Sequence, residues 1–194
     1  ATALGRVHSL WTLSGLGTLE LSTVAEALGD ADPRVRRAAL RTGELIFAEG
    51  ELASRFLSLV LKTLDDLDPA VRLQAIHTAG AFSRESLPLA KLIEVGFAGD
   101  EVTRQAVLSG LAGLEADALE QSIEIASQAS AGNAGAEWLG ELAAVVHRAA
   151  QQRADGADRV EGLFDQIEYA PAYAQVAMLQ AIAEGQRTPG ALRV

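Results

Sequence analysis

Apolar residues return along this chain at steps of three and four. Leu19, Leu21, Val24 and Leu28 form one such run, Leu52, Phe56, Leu59, Val60 and Leu64 a second, and Leu89, Leu92, Ile93 and Phe97 a third. That spacing places each run on one side of a helix. Between them stand segments of another kind, "DADPRVRRAALRTG" from Asp30 and "DLDPAVRLQAIHTAG" from Asp66, which share Asp-x-Asp-Pro, an apolar residue and Arg. An aspartate ahead of a proline is how a helix begins: the carboxylate accepts from free N–H groups, and proline loses nothing at the first helical position. Asp32 and Asp68 are therefore predicted caps. Arg36 and Arg72, four residues on, are placed to pair with those aspartates or with the equivalent one of an adjacent repeat.

Taking Val35 and Val71 as reference positions, further copies align at Val7 in "RVHSLWTLSGLG" and at Val102 in "DEVTRQAVLSGL". Four residues on stand Trp11, Ala39, Ala75 and Ala106. Seven and eight residues on, every copy is small: Ser14 and Gly15, Thr42 and Gly43, Thr78 and Ala79, Ser109 and Gly110. Positions 0, +4, +7 and +8 share a helical face, so small residues there allow close approach of a neighbour. Trp11 is read as filling space at one end of the stack. Unequal spacing around a constant motif predicts helical pairs joined by loops of varying length.

The pattern blurs further on. Asp117 with Glu120 and Asp158 with Glu161 read as capping boxes, the glycines of "AGNAG" (131–135) as loop, and "PAYAQVAMLQAIAEG" from Pro171 as a last motif-like helix. The expectation is an all-α fold of about eleven helices in roughly five pairs plus an unpaired first one. It forms a single repeat domain over 1–194, with clear repeats over 6–112 and degenerate ones over 113–186. The chain opens inside a motif helix and stops at "TPGALRV", which reads as a section of a longer polypeptide.

Asp-Pro-x-Val-Arg followed by Ala and a small residue resembles the second helix of HEAT repeats. Pro33, Val35, Arg36 and Ala39 match, as do Pro69, Val71, Arg72 and Ala75, whereas the copies at Val7 and Val102 lack the proline and put His8 and Thr103 where Arg belongs. The resemblance implies an α-α superhelix, a HEAT-like solenoid with the motif helices lining its concave side. A narrower likeness, carried by "RVHSLWTLSGLG" running into "DADPRVRRAAL", is to large bacterial multidomain proteins. In those, HEAT-like repeats lie between a sugar-dehydrogenase-like propeller and a c-type haem domain. It implies a structural module of a periplasmic or secreted protein; otherwise the compartment, cytoplasmic or not, is open.

Composition narrows the chemistry. Aromatics make up 5% of the chain and no cysteine is present, which removes disulfides and thiolate chemistry. The net charge is −10, with 11 basic and 14 acidic residues over 1–104 but 5 and 12 over 105–194. That balance argues against nucleic acid as partner and against the HEAT-like DNA glycosylases, which clasp DNA on a basic surface. HEAT-like phycobilin lyases find no specific residue here. No apolar run is long enough for membrane insertion. HExxH, GxSxG, P-loop, dinucleotide and EF-hand motifs are missing. His8, His77 and His147 lack ligand spacing; Asp65, Asp66 and Asp68 could suggest a hard cation, but capping explains Asp68 and no oxygen-rich loop follows; and Trp138 reads as core. Neither catalytic residue, metal nor cofactor is called for.

One constellation is left over. Positions +2 and +6 of the motif helices point away from the buried face: Ser9 and Leu13, Arg37 and Arg41, Leu73 and His77, Arg104 and Leu108. Side by side they would make a stripe of Leu13, Arg37, Arg41, Leu73, His77, Arg104 and Leu108, suited to an acidic segment of a protein partner or to a flanking domain of the same polypeptide. The expected function is a non-catalytic interaction scaffold.

Overall fold

The computed structural model describes residues 1–128 and 132–187, with side chains over 1–128 and 135–186. The described residues form an all-α fold of eleven helices. They are α1 (Ala3–Gly15), α2 (Leu21–Leu28), α3 (Pro33–Phe47), α4 (Ala53–Thr63), α5 (Pro69–Ala79), α6 (Leu89–Ala98), α7 (Glu101–Gly110), α8 (Glu115–Gln128), α9 (Gly132–Gln151), α10 (Gly156–Tyr169) and α11 (Ala172–Arg187). The packing resolves into two compact units, Ala1–Pro88 and the residues from Leu89 onward.

In the first unit α3 lies between α1 and α5, making one row, while α2 packs on α3 and α4 on α5 to make a second. The apolar runs explain the arrangement: Val24 of α2 and Phe56 and Val60 of α4 are fully buried, against Val35, Ala39 and Leu40 of α3 and Val71, Ala75 and Ile76 of α5. The Phe56 ring lies near those of Phe47 and Phe82, centroids 6.1 and 5.9 Å away. The small residue Gly43 makes room for this ring rather than for a neighbouring backbone, since a Cβ there would lie 2.6 Å from the ring. The end of α1 shows the other use of glycine. Gly17, at φ 68°, lets the Thr18 N–H donate to the Leu13 carbonyl at 3.0 Å, a reversal that closes the last turn.

In the second unit α6 pairs with α7, and the 20-residue α9 takes α7, α8, α10 and α11 against its sides. Trp138 is wholly buried in α9; its indole N–H donates to Ser122 Oγ of α8 at 3.0 Å, and its ring lies 6.2 Å from Phe97. The expected core role of Trp138 is the one observed. The Pro171 segment is helical as expected, with Ala174, Met178 and Ile182 buried. The two expected capping boxes are not. α8 and α10 begin earlier, at Glu115 and Gly156, so Asp117 and Asp158 sit in their first turns, where a carboxylate still opposes the helix dipole. Of "AGNAG", Gly132–Gly135 already belong to α9, and Ala131 lies outside the described residues.

Candidate interaction surface

Four helices begin with one hydrogen-bonded device, and it fixes the register of the repeat. Thr2 Oγ1 accepts from Gly5 N at 3.1 Å, Asp32 from Arg34 N at 2.9 Å, Asp68 from Ala70 N at 2.9 Å and Asp100 from Thr103 N at 2.9 Å. Four residues after each cap stands an arginine: Arg6, Arg36, Arg72 and Arg104. Each bends back over its own first turn, and its Nη1 donates to the carbonyl five residues earlier, that of Ala1, Ala31, Leu67 or Gly99, at 2.7 to 3.3 Å. The equivalent positions are therefore Gly5, Val35, Val71 and Thr103. Copies aligned at Val7 and Val102 were displaced, by two residues and by one, because alignment followed the apolar residue and not the cap and the arginine.

Burial confirms the corrected frame. Leu10, Leu40, Ile76 and Leu108, each five residues after its reference position, are all buried, while Val102 is exposed. Trp11 moves from the inner face to the outer one, where it is 43% exposed instead of filling the stack.

The other edge of each guanidinium carries the link between repeats. Arg6 Nε and Nη2 grip Asp30 at 2.6 and 2.8 Å, and Arg36 Nε and Nη2 grip Asp66 at 2.8 and 2.7 Å. This fork-to-fork geometry holds both planes fixed. Asp30 and Asp66 are the first aspartates of "DADP" and "DLDP", and each also accepts from the N–H of the capping aspartate two residues on, at 2.8 Å. In Asp-x-Asp-Pro the first carboxylate thus receives the arginine of the preceding repeat and the second caps its own helix. Arg36 does not pair with Asp32, which takes Arg34 instead. Arg72 donates to the Asp66 and Leu67 carbonyls. At the corresponding turn ahead of Asp100 the sequence has Ala98 in place of aspartate.

These contacts lower three carboxyl pKa values: Arg6 holds Asp30 below the usual range, Arg36 does so for Asp66, and Arg34 takes Asp32 from 3.8 to about 2. A carboxylate whose folded pKa is depressed adds stability above its unfolded pKa and loses it as pH falls through the folded one. The melting temperature should thus hold down to about pH 5 and fall between about pH 4 and about pH 2, less steeply in Asp66→Asn, as followed by circular dichroism. A slope unchanged by that substitution would dissociate the Arg36–Asp66 link from acid sensitivity.

The expected stripe is divided by the same geometry. Arg37, Arg41 and His77 are exposed, and Leu13 and Leu73 are half-buried. Arg104 and Leu108, expected beside them, are buried. Arg104 is the helix-start arginine of α7, and it donates to Glu141 at 2.9 Å and lies 3.2 Å from Glu137, both on α9. Leu108 is the core residue equivalent to Leu40. Both leave the candidate surface.

What remains is the open face of α1, α3 and α5. Those helices carry six arginines and two histidines against a single acid, Glu44, on a chain of net charge −10. Glu44 is held from two sides, accepting from Arg41 at 2.6 Å and from the buried Thr78 hydroxyl of α5 at 2.8 Å, so it fixes Arg41 in place. In the corrected frame Trp11, Arg41 and His77 are equivalent residues on three neighbouring helices, with Arg37 and the exposed Leu45 one turn to either side of Arg41. Trp11 and Leu45 were missed on sequence. Alignment on the caps Thr2, Asp32, Asp68 and Asp100 would have found Trp11.

No family model and no curated protein matches this chain. Among the described residues no group of three or more His, Asp or Glu is placed to hold a metal ion, and no helix is long and apolar enough to cross a membrane. His147 is buried, its Nε2 3.4 Å from Gln151 Nε2.

Proposed function

We propose that this chain is a non-catalytic, HEAT-like interaction scaffold whose working surface is the open face of α1, α3 and α5. The observation that carries the reading is the charge and apolar content of that face: Arg37, Arg41 and His77 exposed beside Trp11 and Leu45, on helices nearly free of acids. Arginine and tryptophan contribute disproportionately to protein interfaces, and a basic patch on an acidic protein selects partners of opposite sign. The HEAT-like part rests on the four arginines that close their own first turn, two of which also bind the next repeat. An acidic protein segment with an aromatic residue is the partner this face suits, and the charge of the whole chain disfavours nucleic acid.

The test is fluorescence anisotropy with labelled peptides rich in Asp and Glu that carry one aromatic residue, at low salt. Binding to the wild type should weaken about tenfold or more in Arg37→Glu with Arg41→Glu, while helical content stays unchanged and melting falls only slightly, since Arg37 is exposed and the exposed Arg41–Glu44 pair contributes little. Equal binding by the double variant would remove this face from consideration.

A further inference from the structure

The chain carries a second exposed face of opposite sign. On α10, Asp158, Glu161, Asp165 and Glu168 are all exposed, with Phe164 43% and Tyr169 83% accessible, while Leu163 and Ile167 are buried on the other side. Arg37, Glu161 and Asp165 form no ion pair among the described residues, in a protein whose Arg6, Arg34, Arg36, Arg41 and Arg104 all do.

The two faces match in spacing as well as charge. On α3 the exposed stripe runs Arg37, Arg41, Leu45, and on α10 it runs Glu161, Asp165, Tyr169. Both step by four residues, a rise of about 6 Å per step, so two helices laid side by side in the same direction bring cation to anion twice and leucine to tyrosine once. We infer that the open face of α1, α3 and α5 receives α10 of a second copy of this chain, through Arg37, Arg41 and Leu45 against Glu161, Asp165 and Tyr169. α3 is the middle helix of its row, so α10 resting along it lies between Trp11 of α1 and His77 of α5.

The contact joins two different surfaces, so a single contact leaves one face of each kind open on the pair for further association. One helix laid on a helical row is a small interface, at the weak and transient end of the range. Its ion pairs are solvent-accessible, so salt weakens it. The inference uses the face assigned under the proposed function and adds α10, which that reading does not need.

Sedimentation velocity of the full chain, from micromolar to millimolar at low and high salt, tests it. The expected result is a mean mass that rises with concentration and falls back with salt. Arg37→Glu with Arg41→Glu should stay monomeric, because both of its faces are acidic. Glu161→Lys with Asp165→Lys should stay monomeric, because both are basic. Mixing the two variants should restore association, since each then meets a complementary face, and restoration also shows that both are folded. A monomer at millimolar protein and low salt overturns the inference, as does association that survives either reversal or a mixture that stays monomeric. The lysine variant should still bind the acidic peptides used above, so failure of self-association and failure of the peptide-binding reading are separately visible.

Discussion

Trp138→Ala should lower the stability of the helices from Leu89 onward by about 3 to 5 kcal/mol in urea unfolding followed by circular dichroism. The indole is fully buried, so its removal takes away the largest side chain of that core and leaves a void in its place. Gly96 makes the site specific: a Cβ there would come within 2.6 Å of the indole, so this part of α6 is shaped around the ring. Replacement also strands the Ser122 hydroxyl, which accepts the indole N–H at 3.0 Å. Trp138→Phe separates the two effects. It keeps most of the packing and loses the hydrogen bond, so its cost should be about 1 to 2 kcal/mol. A Phe variant as damaging as the Ala variant would show that the link to Ser122, not the volume, holds α8 against α9.

The helices were legible in the sequence because their signals are local. Val24, Phe56, Val60, Leu92 and Ile93 recur at helical steps and are buried as that spacing implies. Asp32 and Asp68 precede prolines and cap as such aspartates do. What sequence could not deliver was the register of the two weaker copies. An apolar residue one or two positions from the right one, Val7 or Val102, is as good a match to a pattern of types as the residue that occupies the site, Gly5 or Thr103. The arginine is different, since in all four copies it stands four residues after the cap and reaches back to the carbonyl five residues before it. Because of the displaced frame Arg104, which is buried beside Glu141, was assigned to the surface, and Trp11 to the interior.

The same frame bears on the candidate surface. Arg37 and Arg41 were found from sequence because α3 has the motif in full, and His77 because α5 does. Trp11 required the corrected copy, and Leu45 lies past the motif altogether. A surface made by three helices side by side depends on the phase of every one of them, so a phase error in α1 hides its member of the row while leaving the helix itself correctly predicted.

Phe56→Ala should cost the first unit about 3 to 5 kcal/mol, by losing a fully buried ring that pairs with those of Phe47 and Phe82. Its sharper consequence concerns Gly43. In the wild type, Gly43→Ala drives a methyl to 2.6 Å from the Phe56 ring and 3.2 Å from Val24, and the ring is fully buried with Phe47 and Phe82 beside it. Overpacking of that kind costs about 1 to 3 kcal/mol, enough to outweigh the roughly 1 kcal/mol by which alanine favours a helix interior over glycine. With Phe56 reduced to alanine the ring is gone and only the milder contact with Val24 at 3.2 Å is left, so the propensity gain and the partly filled cavity act in the same direction. Gly43→Ala should then change from destabilising to stabilising between the two backgrounds, a coupling that a double-mutant cycle measures directly. Equal effects in both backgrounds would mean that Gly43 is small for a reason other than the ring. A reversal of sign would show that the small residue at the end of the motif helix and the large one on its partner are a single packing decision, made across two helices that the sequence pattern describes only one at a time.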